Sequence, residues 1–324
     1  MKLHKNQQLF QDAVIATSQK FNIPEIYIEK DYWVTLALFA IFHSSVAEEA
    51  VFKGGTALSK CYKLIDRFSE DVDIVVLNDK SESGNQLKNK LKAISSVVSE
   101  SISEIEIEGI TNKRGMIRKT VHEYPKQSFN GLFGQVREHI IVEATWLGSS
   151  EPYSTGIVSS YIGEMMKENG QEKIIQENNM QPFQVNVLGK ERTLCEKVMS
   201  LVRFSHTISP YSDLANKIRH IYDLHLMLKD KEVVFFFENR EFEKLLIIVG
   251  RDDRISFKNN NDWLNEHPSD AIIFKDPDKT WEMIKNTYRT TFKELVMGEL
   301  PVESDLIGTL KKIYYRMEKI EWNL

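Results

Sequence analysis

The stretch FKGGTALSKCYKLIDRFSEDVDIVV, from Phe52 to Val76, constrains this chain more than any other. Its end, VDIVVL, is β-branched and apolar and reads as a buried strand. Asp71 and Asp73 stand one residue apart at the mouth of that strand. Alternate residues of a strand share a face, so the two carboxylates point the same way, about 6.6 Å apart. At an effective dielectric of about 20, two charges at that distance repel by about 2.5 kcal/mol. A divalent cation reverses that sign, and Mg²⁺ takes one or two carboxylates together with substrate phosphate oxygens. Upstream, Gly54 and Gly55 lead into Ala57, Leu58 and Tyr62 at helical spacing. Glycines let a backbone approach phosphate, and a helix N-terminus offers free N–H groups. Thr56 and Ser59 add hydroxyls. Lys60 and Arg67, between the two halves, are placed either to touch phosphate or to pair with Glu70.

The rest of the chain is of ordinary globular composition. Its 324 residues allow two domains, and 42% are hydrophobic. The longest apolar run, WVTLALFAIF (33–42), is half of what a bilayer span needs. Cys61 and Cys195 make neither a disulfide framework nor a zinc site, which points to a reducing cytoplasm. The net charge of −5 excludes a wholly basic nucleic-acid-binding surface. A local patch would serve instead, and NKRGMIRK (112–119) is the candidate, with a charged hairpin as the plainer meaning. Helical spacing marks residues 5–20, 24–43, 54–65 and 84–103; strands are expected at 105–110, 116–124, 138–147 and 183–189. After about residue 190 helical periods dominate, over 213–228, 241–250, 278–297 and 303–319. TLCE (193–196) reads as a capping box that starts a helix. The pattern is that of an N-terminal α/β unit, to about residue 190, followed by a mostly helical unit.

The order GG…LSK…RFSEDVDI resembles the nucleotidyltransferase signature. More narrowly it is similar to the AbiEii/AbiGii family, the nucleotidyltransferase-like toxins of type IV toxin–antitoxin and abortive-infection systems. IPEIYIEKDYWVTLAL (23–38), FQVNVLGKERTLCEKVMSLVR (183–203) and KIRHIYDLHLM (217–227) resemble further blocks of that family, in order. The resemblance implies an α+β fold, with a mixed sheet and flanking helices over residues 1–190 and a mostly helical domain over 191–324. It implies that Gly54, Gly55 and Thr56 hold nucleotide phosphates and that Asp71 and Asp73 hold Mg²⁺ or Mn²⁺. It implies a third carboxylate on a neighbouring strand; Glu143 fits, an outward-facing strand glutamate being the alternative. It also implies a Lys in the helix after residue 190 and an Asp in the next, positions that Lys197 and Asp223 match. Lys197 would follow the capping box in the first turn, a poor place for a cation, which favours a phosphate partner. Arg219, four residues before Asp223, offers a surface ion pair as the other reading. The chain departs from the family at Arg219-His220, where members commonly read Arg-Asp; His220 is expected as a surface histidine.

The implied function is Mg²⁺-dependent transfer of NMP from an NTP to a macromolecular acceptor, an RNA 3′ end such as that of tRNA or a protein hydroxyl. The implied setting is cytoplasmic, with a cognate antitoxin and no membrane contact. Two other readings share the Gly/Asp-x-Asp signature. One is a nucleotide-binding or protein-interaction module that has lost turnover. The other is a small-molecule, antibiotic-type nucleotidyltransferase, which would lack the 23–38 and 183–227 blocks.

Overall fold

The computed structural model describes residues 1–79, 81–127, 129 and 136–324, which divide into two compact units. The first comprises Met1–Tyr62, Phe68–Trp146 and Tyr153–Leu188. Its seven strands are β1 (Ala50–Lys53), β2 (Val72–Val76), β3 (Ser103–Ile105), β4 (Ile117–Glu123), β5 (Ile140–Thr145), β6 (Tyr153–Val158) and β7 (Phe183–Leu188), in the order β3-β4-β5-β2-β1-β7-β6. The sheet is mixed: β2 runs parallel to β5 and β1 parallel to β7, and the other pairs are antiparallel. This is the mixed sheet with flanking helices that the sequence leads one to expect. β1, β2 and β5 at its centre are buried almost throughout, each largely apolar with a single charged residue, Lys53, Asp73 and Glu143.

Among the described residues, six α-helices belong to this unit: α1 (Gln7–Phe21), α2 (Glu25–Phe42), α3 (Gly54–Lys60), α4 (Gly84–Ser99), α5 (Tyr161–Glu168) and α6 (Glu172–Glu177). α2 follows Pro24 and is apolar on most faces, and fourteen of its eighteen residues are buried. It packs against α1, α4, α5 and the strands β2, β5 and β7. Trp33 stacks on Tyr124 and Tyr32 packs against Phe10, so the aromatic pair is core.

Three charged residues of α2, Glu29, Lys30 and Asp31, are buried as well. Lys60 Nζ at the end of α3 donates to Asp31 Oδ1 (2.5 Å), Thr35 Oγ1 (2.9 Å) and the Ser159 carbonyl (3.1 Å). Asp31 Oδ2 also accepts from the Tyr161 N–H. Lys30 Nζ donates to the carbonyls of Arg137 and His139 and lies 3.4 Å from Glu70 Oε2. One turn of α2 thus ties down α3 on one side and the residue before Asp71 on the other.

The second unit comprises Lys63–Arg67, Leu147–Pro152 and Gly189–Leu324. Its helices are α7 (Lys190–Ser205), α8 (Pro210–Ala215), α9 (Ile218–Met227), α10 (Lys231–Glu238), α11 (Arg240–Ser256), α12 (Ile272–Lys275), α13 (Pro277–Thr287) and α14 (Glu303–Met317). α7 packs on α8, α9, α10 and α11. A bridge from Arg67 to Val296, with the Met297 N–H donating to the Asp66 carbonyl at 2.8 Å, ties the short 63–67 segment to the helices. No helix of the described residues is long and apolar enough to cross a membrane.

Several expected elements differ. The strand at 105–110 is only β3, because Ile107–Ile110 turn back through Ile107–Thr111 hydrogen bonds. The helix at 213–228 is two helices, α8 and α9, broken at Asn216-Lys217. TLCE is not a capping box: α7 starts at Lys190 with Gly189 as N-cap, and Thr193 Oγ1 donates back to the Gly189 carbonyl. Lys197 therefore lies two turns into the helix, away from the dipole's positive end.

Replacing Asp31 with Ala leaves the Lys60 ammonium buried and unpaired. The expected loss is about 3–5 kcal/mol of unfolding free energy, read by urea denaturation. The double variant Asp31→Leu/Lys60→Met should recover most of it.

Candidate active site

Register across the central strands lines up four charged residues on one sheet face. Lys53 on β1 faces Asp73 on β2, Asp73 faces Glu143 on β5, and Glu143 faces Lys119 on β4. Asp71, two residues before Asp73, shares that face. The row runs cation, anion, anion, cation, and its two acids are on adjacent strands about 4.8 Å apart.

Electrostatics show the strain in that row. Asp73 is half-buried, and its carboxyl is pushed up to about 7 by burial first, then by the charges of Asp71 and Glu143. Lys53 and Lys119 pull the other way without cancelling this. The other two acids have protein cations. Arg137 Nη1 is 2.5 Å from Asp71 Oδ1, and Lys119 Nζ is 3.2 Å from Glu143 Oε2. Among the described residues, no three His, Cys, Asp or Glu side chains are gathered closely enough to hold a metal ion. The donor chemistry nevertheless fits one. Three carboxylates lie along one face, and Asp73 among them is raised by burial first and by the charges of the other two next.

The glycines are placed by the same acids. Gly54 begins α3 at φ +82°, a conformation that disfavours side chains, and a Cβ there would overlap Oδ2 of Asp73. Lys53, the N-cap of α3, supplies no side-chain acceptor to the first-turn N–H groups. Thr56 is buried, and its hydroxyl donates to the Asp71 carbonyl at 2.6 Å while sharing a hydrogen bond with Ser69. Its side chain thus fixes the entry to β2. Gly55 and Ser59 are half-buried on α3.

The sequence leaves phosphate contact or a pair with Glu70 open for Lys60 and Arg67; the structure pairs them with Asp31 and Asp223. Lys60 is buried with three acceptors, Asp31 among them, for its three N–H bonds. Arg67 lies in the second unit and donates through Nε and Nη2 to Asp223 at 2.7 and 2.8 Å. Glu70 instead pairs with Lys30.

Within the second unit, Lys197 Nζ completes a buried triad at 2.7 Å from Asp223 Oδ2. Burial alone would raise the Asp223 carboxyl, but Arg67 and Lys197 outweigh it and hold it far below the usual range. With both oxygens engaged, Asp223 is a poor proton acceptor and a strong anchor for two cations. Its partners are Arg67 and Lys197, where the sequence offered Arg219. His220 is half-buried, with Nδ1 buried and lacking a hydrogen-bond partner. Burial, then Lys197 and Lys217, pushes its ring well below the ordinary histidine range and keeps it neutral.

The 112–119 segment is a hairpin closed by an Asn112–Lys119 bridge. Lys113 is held by Glu104 and Glu106, and Arg118 donates to Ser95, which dilutes its basic character. Sequence reasoning missed Arg137, Lys119 and Lys53 as neighbours of the acids. Lys53 adjoins the glycines and Lys119 alternates along a recognisable strand, so both carried a signal. Arg137, 66 residues from Asp71, carried none.

A family model for the nucleotidyl transferase AbiEii toxin of type IV toxin–antitoxin systems matches residues 36–304. Among solved structures, the chain is similar to MenT4, a nucleotidyltransferase toxin from Mycobacterium tuberculosis H37Rv. Identity is 14% and the TM-score 0.48, over 95% of this chain and 90% of that one. No curated protein matches.

Two outcomes follow from the row of acids. Gly54→Ala strains a positive φ and displaces Asp73, so it should lower stability by about 1 kcal/mol or more, read as a fall in urea midpoint. The raised Asp73 carboxyl keeps its proton in the folded state after the unfolded chain has lost it. That contribution to stability is therefore lost as pH rises from about 4, the unfolded value, to about 7, the folded one. Melting curves of wild type and Asp73→Asn across this window, without added metal, should diverge in that sense, wild type losing more.

Proposed function

The chain belongs to the AbiEii family of nucleotidyl transferase toxins of type IV toxin–antitoxin systems, and on that premise we propose a metal-dependent transfer of NMP from an NTP to a macromolecular hydroxyl. The enzyme class, nucleotidyltransferase, follows from the family. The metal, the residue roles and the acceptor are our reading.

The observation that carries it is the row of acids beside α3. Asp71, Asp73 and Glu143 share a sheet face, and Gly54 brings the start of a helix against Asp73. Asp71 and Asp73 would hold a divalent cation, Mg²⁺ or Mn²⁺, with Glu143 as the third acid. That cation, when bound, neutralises the triphosphate and polarises the phosphorus under attack. The first-turn N–H groups of Gly55 and Thr56 would receive phosphate oxygens. Glu143, tied to a partly exposed lysine and not to a buried one, is the acid best placed to take the acceptor's proton. Catalysis by such a site is mostly positioning and charge stabilisation.

The acceptor we favour is an RNA 3′ end, such as that of a tRNA, with a protein hydroxyl as the second choice. The toxin family makes a cognate antitoxin the expected partner and the cytoplasm the expected setting. Incubation with each labelled NTP, Mg²⁺ and total RNA or cell extract reads which macromolecule takes up label. Asp71→Ala and Asp73→Ala should each cut labelling by about 100-fold or more, the scale of losing several kcal/mol of transition-state stabilisation. Undiminished labelling in both would sink the metal reading. Label on a small molecule alone would favour the antibiotic-type reading, and none in wild type would favour a module without turnover.

A further inference from the structure

Arg137 approaches Asp71 from a backbone that is locked in place. Its N–H donates to both carboxylate oxygens of Glu70, at 3.1 Å each, and its carbonyl accepts from Lys30 Nζ at 2.6 Å. Lys30 and Glu70 are both buried. Glu70 directly precedes Asp71, so one buried pair fixes the root of the arginine and the chain position of its acceptor. The head is different. The Arg137 side chain is 41% exposed and Asp71 30%, and the bond between them is a single Nη1 contact. An exposed pair of this kind contributes little to stability and is screened by salt. A buried anchor set under a weak, exposed bridge is an arrangement for holding a cation in place without holding it fast.

The occupied oxygen matters. Asp71 Oδ1 is one of the ligands that the reading above assigns to a divalent cation, and a guanidinium on it competes for the same charge. Once removed, the guanidinium cannot go far, because its backbone remains on Glu70 and Lys30. It would stay within a side-chain's length of the carboxylates, where the phosphates of a metal-bound triphosphate must lie. A planar guanidinium fork matches phosphate oxygens bidentately, which a lysine does not.

We propose that Arg137 is the resident counter-cation of Asp71, that a divalent metal displaces it, and that its freed guanidinium then binds the phosphates of the NTP. This rests on the metal reading of Asp71 and Asp73, and the test separates the two. Mn²⁺ binding is followed by the electron paramagnetic resonance of the free ion. Binding of the Mn²⁺–tripolyphosphate complex, which needs no nucleobase contact, is followed by calorimetry.

Arg137→Gln should bind Mn²⁺ alone roughly threefold more tightly than wild type, because an exposed competing pair is gone. The same variant should bind Mn²⁺–tripolyphosphate about tenfold more weakly, the worth of a charge-assisted hydrogen bond. Arg137→Lys keeps the charge and loses the fork, so its Mn²⁺ affinity should stay near wild type while its tripolyphosphate affinity falls. A merely structural arginine would shift both affinities in one direction or neither. If Asp71→Asn and Asp73→Asn lose Mn²⁺ but Arg137→Gln matches wild type in either assay, the Arg137 proposal is overturned and the metal reading stands. If wild type binds Mn²⁺ neither alone nor with tripolyphosphate, both are overturned.

Discussion

Two buried ion pairs on a single turn of α2 hold the first unit's functional parts in register. Asp31 grips Lys60 at the end of α3, and Lys30 lies against Glu70, the residue before Asp71. Each pair is costly to bury and costly to break. What they deliver is position. α3 and β2 are joined by a loop of irregular backbone, and without fixed points at both ends the glycines and the acids could drift independently. With them, Gly54 meets Asp73 closely enough that not even a methyl group fits between.

A second constraint runs across the sheet. The mixed topology sets β5 beside β2 in parallel register, which puts Glu143 opposite Asp73. Like charges directly opposite one another are destabilising, and the Asp73 carboxyl, raised first by burial, is raised further by Asp71 and Glu143. The flanking lysines, one strand further out on each side, offset part of it. Asp223 is the contrast. It is more deeply buried, yet held far below its ordinary range because two cations face it directly. The two carboxylates differ by the sign of their immediate neighbours, and that difference separates an acid that calls for a cation from one that is already satisfied.

Much of this was legible in the residues. The D-x-D strand, the glycine-led helix and the apolar α2 are strong local patterns that give an α/β unit; that its sheet is mixed comes from the family resemblance. β6 escaped notice because YSTGIV is an exposed edge strand with little apolar alternation, and β1 because it is only four residues long. The capping box failed because Gly189 begins α7 four residues earlier, which leaves Thr193 to bond back within the helix. Partners of charged residues were least legible of all. A near neighbour is one reading for each, Glu70 for Lys60 and Arg67 and Arg219 for Asp223; Lys60 pairs with Asp31, 29 positions away, and Arg67 with Asp223, 156 positions away. Only the assembled fold brings such groups together.

The close approach of Gly54 to Asp73 also has a meaning over evolutionary time. Position 54 is closed twice, once by its positive φ and once by the carboxylate above it. A lineage in which Asp73 shrank to a smaller residue would keep the first restriction and shed the second. Substitutions at the two positions are therefore coupled: a side chain at 54 meets one restriction fewer once the acid has shrunk. A descendant lacking the acid would tolerate, at that neighbouring position, residues that its ancestor could not take without moving a carboxylate.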